Sequence, residues 1–348
     1  VSQQTPTTRT NAPAYLQRYL ERRKGTASEG PAGSSTKAYT TLGRPPYVDE
    51  ARVRSEARAE QEKQEADAPP DGVSRAYAMS TVSPRELAPP PELVSRRYGD
   101  SVDVRLLRHG QTQGYSTDAG LSPLGRWQAH RRGQELARGM KPDMTIRLVH
   151  AQTARATETA LALREGFCEG LARYGVTAEV EPLRPSHHFR NFQVWCDGVE
   201  LDVTSAFMKY ATQLEVHQQR KAGDWPGWLT EMERFWNVEA GGGDPITHWL
   251  TNPMQYFEPA ALCVRRFWKG ILEETDTGNS NLRMFVCTHS GPIRAVAAAA
   301  VGHDPGEPFN LEDVRIRLFG DRRHAVVTYR GRGVEIEVPT VCSPSWAG

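Results

Sequence analysis

With 348 residues, 38% of them hydrophobic, and a formal net charge of +1, the chain can close a sizeable core as one large domain or two ordinary ones. The balanced charge gives no reason to expect nucleic acid or an anionic membrane as the main partner. No apolar run approaches the roughly 20 residues of a membrane span, and the longest, 295–301, reads as a helix packed inside the fold.

Residues 1–98 are rich in Gln, Thr, Ser, Arg, Glu, Ala and Pro and poor in large apolar residues. Such a segment cannot bury enough surface to offset its ordering entropy, so it reads as a largely irregular N-terminal arm. Within it, residues 14–23 can form a short amphipathic helix. Tyr15 with Tyr19, and Leu16 with Leu20, then share one face. Residues 49–66 are a polar helix former, and prolines at 69–70 and 89–91 punctuate the arm. The arm is either a solvated tail or a segment that orders on a partner, with those four side chains as anchors for another protein or a second copy of this chain. Arg9 and Arg18 precede the first acid, Glu21, but glutamate-rich sequence follows and no secretory apolar core is present, which argues against a targeting segment.

The ordered pattern begins near Val102. Val104, Leu106 and Leu107 predict a buried strand that ends in Arg108-His109, with Gly110 as a turn residue free to take unusual backbone angles. Ser122 as N-cap, Pro123 at N1 and Gly139 past the end predict a helix. A second strand follows at 146–149, a helix at 154–173 stopped by Gly175, and a third strand at 176–180. After a long insertion comes a strand at 284–288, then a helix with Ser290 as N-cap and Pro292 near N1, reaching Gly302. Residues 325–329 and 334–338 form a hairpin. This alternation predicts an α/β fold, a three-layer sandwich on a mostly parallel sheet, occupying residues 99–348.

The insertion, about 185–259, carries Trp195, Trp225, Trp228, Trp236 and Trp249 among other aromatics. It reads as a helical cap with a small core of its own that also walls the pocket. The five cysteines, Cys168, Cys196, Cys263, Cys287 and Cys342, show no paired or metal-type spacing. They fit buried thiols of a reducing, cytoplasmic setting better than a disulfide framework, and no pattern marks one as a nucleophile.

The chemistry gathers at strand ends. His109 with Arg108, His289, and Arg155 just beyond the second strand all face the crevice where open α/β sheets bind ligands. Guanidinium forks and helix N-terminal amides suit phosphoryl oxygens. One imidazole can attack phosphorus and hold it covalently, while the second, if protonated, stabilises charge on the transferring group. A metal site on the two histidines fares worse, because the arginines repel a cation and no ligand set has the spacing.

Four motifs carry a resemblance: Leu107-Arg108-His109-Gly110-Gln111-Thr112, Leu121-Ser-Pro-Leu-Gly-Arg-Trp-Gln-Ala129, Ala154-Arg155-Ala156-Thr157-Glu158-Thr159-Ala160 and Thr288-His289-Ser290-Gly291-Pro292-Ile293-Arg294-Ala295. In order and spacing the chain resembles the histidine phosphatase superfamily, in its phosphoglycerate-mutase-like branch, over roughly residues 102–338. The resemblance implies His109 as the phosphorylated nucleophile and His289 as the second pocket imidazole. It also implies Arg108 and Arg155 as phosphate ligands, with Thr112 adding a hydroxyl. Two departures stand out. Gly114-Tyr115 replaces the usual asparagine region, and Leu183-Arg184-Pro185 stands where a Leu-x-Glu commonly supplies the general acid.

A general acid contributes about 10²- to 10⁴-fold, so its absence disfavours poor leaving groups. His187 is the named substitute, with His188, Glu181, Asp197 and Asp202 as other donors from or near the cap; the His187-His188 pair also reads as a plain surface loop. The expected function is a metal-independent, cofactor-free phosphohydrolase acting on a phosphomonoester or phosphohistidine, in a small molecule or a phosphoprotein. A mutase fits less well. The alternative is a weakly active or non-catalytic phosphate-binding subunit tethered into an assembly by its arm.

Overall fold

The first strand forms where Val104, Leu106 and Leu107 are wholly buried, and pairing on both of its edges makes it the middle of the sheet. The structure, a computed structural model, describes residues 100–114, 119–217 and 225–339. The arm expected over 1–98, with its two helices and the Tyr15, Leu16, Tyr19 and Leu20 anchors, lies outside these residues, as do Tyr115 and Cys342.

In chain order the elements are β1 (Ser101–Arg108), α1 (Pro123–Ala137), β2 (Thr145–His150), α2 (Ala154–Tyr174), β3 (Glu179–Val180) and β4 (Arg184–Pro185). A 3₁₀ turn (His187–Phe189) leads to β5 (Gln193–Cys196), β6 (Val199–Asp202), α3 (Val203–His217), α4 (Gly227–Ala240) and α5 (Pro245–Thr251). The chain ends with α6 (Ala260–Glu274), β7 (Leu282–Thr288), α7 (Ser290–Val301), β8 (Asp313–Phe319), β9 (His324–Tyr329) and β10 (Arg332–Glu337).

The main sheet runs β10-β9-β8-β1-β7-β2-β3, with β4 also on β2. Pairing is parallel from β1 through β7 and β2 to β3 and β4, and antiparallel from β1 outward through β8, β9 and β10. This is the expected mixed α/β fold with a mostly parallel sheet. Side chains alternate between faces. Leu107, Ile146, Leu148, Phe285 and Cys287 meet Ala129 and Leu136 of α1 and Leu163 and Phe167 of α2 on one side. On the other side α7 packs against β1 and β8–β10, and α6 against α7.

Local chemistry explains the helix bounds. Ser122 caps α1 by accepting from the Gly125 amide at 3.0 Å, with Pro123 in the first turn. Gly175 ends α2 with a left-handed φ of 64°. Two expectations are corrected. The strand expected over 176–180 is only Glu179–Val180, because the Val176 amide donates back to the Leu171 carbonyl at 3.0 Å as part of the α2 cap. The N-cap of α7 is His289, in an extended conformation, so Ser290 is the first helical residue and Pro292 the third. Proline fits there because first-turn amides lack intrahelical acceptors.

The insertion folds as the β5–β6 hairpin with α3, α4 and α5 around its own aromatic cluster. Phe192 stacks on Trp249 at 4.1 Å between ring centroids and contacts Phe235 and Phe257. Two largely enclosed arginines tie it down. Arg266 of α6 forks onto Glu258 and donates to the carbonyls of His188, Arg190 and Asn191. Arg294 of α7, only 2% exposed, meets Asp244 and Thr247 of the cap and Asp304 and Glu307 of the loop before β8. Cys196, Cys263 and Cys287 are buried free thiols, and burial pushes Cys196 and Cys287 up to about 12, far from a reactive thiolate. Among the described residues no helix is long and apolar enough to cross a membrane.

Candidate active site

Because β1, β7 and β2 run parallel in register, Arg108 lies beside Thr288 and His150 beside Cys287, so their chains leave the sheet at one edge. The register carries one residue further, the His109 amide donating to the Thr288 carbonyl at 2.9 Å. Gly110 follows, and its role differs from the expected one. Its φ is not in the left-handed region; what it supplies is room. A Cβ there would sit 2.7 Å from the Gly125 carbonyl oxygen, and one on Gly125 would sit 2.1 Å from the Gln111 carbonyl oxygen. The turn after β1 thus rests directly on the first turn of α1. Thr159 of α2 accepts from the Gly110 amide at 3.1 Å and donates to the Arg155 carbonyl at 2.6 Å.

Four of the expected residues come together. The rings of His109 and His289 meet edge to face, 5.4 Å between centroids. Arg155, in the first turn of α2 and 5% exposed, donates from Nε to His289 Nδ1 at 3.2 Å and from Nη2 to Thr204 Oγ1 at 3.1 Å. Arg108 gives Nη1 to Glu307 at 3.0 Å and to the Pro308 carbonyl.

These bonds assign the ring protons. His109 Nδ1 lies 2.9 Å from the Gly110 carbonyl, which only accepts, so Nδ1 carries the hydrogen and Nε2 keeps its lone pair. His289 Nδ1 accepts from Arg155, so its hydrogen is on Nε2, where Thr153 Oγ1 stands 3.5 Å away. Burial first, and then the neighbouring guanidiniums, hold His109 down to about 3 despite the opposing Gly110 bond. Burial, then Arg155, His109 and Arg108, keep His289 well below the ordinary histidine range. The second imidazole is therefore held neutral by its surroundings, in place of the protonated form that the sequence allows. Burial also works against the Arg155 charge, while Asp202 favours it.

The two histidines make stability depend on pH. Well above about 6.5 neither the folded nor the unfolded chain protonates them, and these two histidines then cost the fold nothing. As pH falls from there toward about 3, the unfolded chain takes up protons that the folded pocket refuses, so stability drops. Tm followed from pH 7.5 to 4 is expected to decline, and to decline less in His289→Gln. Equal declines in the two proteins would locate the effect elsewhere.

Other expected residues stand apart. Thr112 forms a bridge with Leu121 beyond the Gly110 turn, and among the described residues its hydroxyl bonds to none of the four. His187 is exposed on the 3₁₀ turn, its ring 4.0 Å from that of His188, whose Nε2 pairs with Glu273 at 2.9 Å. No bond or ring contact among the described residues links His187 to the pocket. Glu181 is clamped by Arg147 and Arg184, and Arg147 above all holds its carboxyl below the usual range. Asp197, paired with Lys209, is held low in the same way. Asp202 lies within electrostatic reach of Arg155, but it accepts from the Thr204 amide at 2.9 Å and from Ser205 Oγ at 2.5 Å.

Sequence reasoning missed Thr204, Thr153 and Glu307. The Asp202-Val-Thr-Ser pattern signals a helix start, but nothing local says that Thr204 meets an arginine from α2. Among the described residues no group of three or more His, Cys, Asp or Glu could hold a metal ion.

Residues 104–171 match the family model of the histidine phosphatase superfamily, branch 1. No curated protein matches the chain. Among solved structures, a mycobacterial glucosyl-3-phosphoglycerate phosphatase is 20% identical, covering 62% of this chain and 92% of its own, with a TM-score of 0.36. A putative α-ribazole-5'-P phosphatase from Escherichia coli is 13% identical, with 70% and 98% covered and a TM-score of 0.39. YhfR of Bacillus stearothermophilus is 16% identical, with 71% and 100% covered and a TM-score of 0.39. Likenesses at this level assign neither reaction nor substrate.

Proposed function

We propose, from the histidine phosphatase match of residues 104–171 as premise, that the protein is a metal-independent phosphohydrolase working through a phosphohistidine at His109. The observation that carries this reading is the Nδ1–H bond of His109 to the Gly110 carbonyl, which leaves Nε2 an unprotonated nucleophile beside Arg155 and His289. His109 Nε2 attacks phosphorus, the bond to the leaving group breaks, and a P–N bond forms. Arg108 and Arg155 take the phosphoryl oxygens, and the His289 Nε2–H donates to the group in transfer. Water then attacks phosphorus and releases inorganic phosphate with His109 restored. Thr112 is proposed at the rim of this site.

The leaving group needs a proton or must depart without one. His187 is proposed as the donor from the cap. With Glu181, Asp197 and Asp202 all engaged as above, the reading favours leaving groups that need little help, such as an acyl phosphate or a phosphohistidine, over a sugar-acid mutase reaction. The same engaged carboxylates favour the second reading, a weakly active phosphate-binding subunit held in an assembly by the 1–98 arm. A cytoplasmic setting is proposed with either, on the strength of the free buried thiols.

Rapid quench with ³²P-labelled substrate is expected to trap an acid-labile label on the protein, and turnover should survive EDTA, since arginines supply the pocket cation. A phosphohistidine substrate, with para-nitrophenyl phosphate beside it, separates the readings. Phosphate binding without label or turnover on either would favour the binding subunit. A strict need for divalent metal would contradict the mechanism.

A further inference from the structure

Arg108 holds a buried donor that nothing satisfies: its Nε has no hydrogen-bond partner among the described residues. An unpaired buried N–H is costly, and the rest of the guanidinium shows why it persists. Nη1, on the Cδ side of the group, is taken by Glu307 Oε1 at 3.0 Å and by the Pro308 carbonyl. That leaves Nε and Nη2, the side-on pair of parallel donors suited to two phosphoryl oxygens.

Glu307 is itself held firmly. Its Oε2 lies 3.4 Å from Nη1 of the buried Arg294, and its carbonyl accepts from Arg330 Nη2 at 2.7 Å. Gly306 precedes it at a φ of 81°, with its amide on Asp304 at 3.0 Å. The side chain is nonetheless 45% exposed, so it contributes little to the core. An acid beside an anion pocket lowers the local positive charge, so a position held from three sides calls for a reason other than charge.

We propose that Glu307 is a positioning residue: braced by Arg294, it pins Nη1 of Arg108 and so presents the Nε–Nη2 fork to the phosphoryl group. This rests on the reading of the pocket as a phosphoryl site. Two effects of opposite sign distinguish it from simple charge neutralisation. Losing the pin converts a fixed fork into a mobile cation, and losing one charge-assisted hydrogen bond weakens phosphate binding about tenfold. Losing only a negative charge strengthens it.

The experiment measures inhibition by inorganic phosphate, and KM and kcat with para-nitrophenyl phosphate, in wild type, Glu307→Ala and Glu307→Gln. Glu307→Ala is expected to raise the phosphate Ki and KM about tenfold while kcat changes by less than about threefold. Glu307→Gln, whose amide oxygen still accepts from Nη1, should recover most of the loss. Tighter phosphate binding in both variants, or values within about twofold of wild type, would overturn the proposal. Wild-type protein that neither binds phosphate nor carries the ³²P label would instead overturn the phosphohydrolase reading on which it rests.

Discussion

His109→Ala is expected to lower kcat by about 10⁴-fold or more, the scale of losing a nucleophile, and to remove the acid-labile ³²P label, while Tm at pH 7.5 shifts only modestly. His109 Nε2 is the lone pair that the Gly110 carbonyl frees, and its neighbour His289 has its own lone pair committed to Arg155. His289 therefore cannot take over the attack without breaking the Arg155 bond. Because His109 is held down to about 3, its protonation does not limit the rate anywhere near neutrality, and an acid limb near 6.5 has to come from substrate or another group. Hydrolysis by the alanine variant at the wild-type rate would eliminate the covalent mechanism.

Arg155→Lys is expected to be nearly as damaging as Arg155→Ala, each lowering kcat/KM by about 10²- to 10³-fold. Lysine keeps the charge, so a purely Coulombic role predicts a mild effect. It cannot keep the geometry: Arg155 donates simultaneously from Nε to His289 and from Nη2 to Thr204, two directions fixed by one plane. The Nε bond also assigns the His289 tautomer, so its loss reaches the second imidazole as well. A lysine variant within about threefold of wild type would show that charge alone suffices there.

Both predictions concern residues that could be read from the sequence, and the reason is that their signals are local. A short apolar run ending in a polar residue and a glycine marks the end of a parallel strand, which set His109 and His289 at one edge. Ser122-Pro123 and Gly175 punctuate helices through their own side chains or lack of one. What stayed hidden is non-local. Thr204 acquires its role from an arginine 49 residues away, and Pro308 meets Arg108 across 200 residues. Neither leaves a periodic trace. The third strand is shorter than its composition suggests because the amide of Val176, a strand-like residue, serves the α2 cap. Gly110 is needed for a reason that no local pattern carries: crowding by Gly125 is a tertiary fact, whereas backbone freedom is a property of glycine anywhere.

The cap is wired to the floor through Arg294, and this limits how it can move. Asp244 at the start of α5, Asp304 and Glu307 converge on one guanidinium that is almost fully buried. Swinging α5 away as a lid would take Asp244 and Thr247 from that cation and leave it Asp304 and Glu307, a loss of about 1.5–3 kcal/mol for one charge-assisted hydrogen bond. At that cost an open state holds only about one molecule in 10–10². The fold therefore keeps α5 seated most of the time, and movement of the cap is easiest where no such tether holds it.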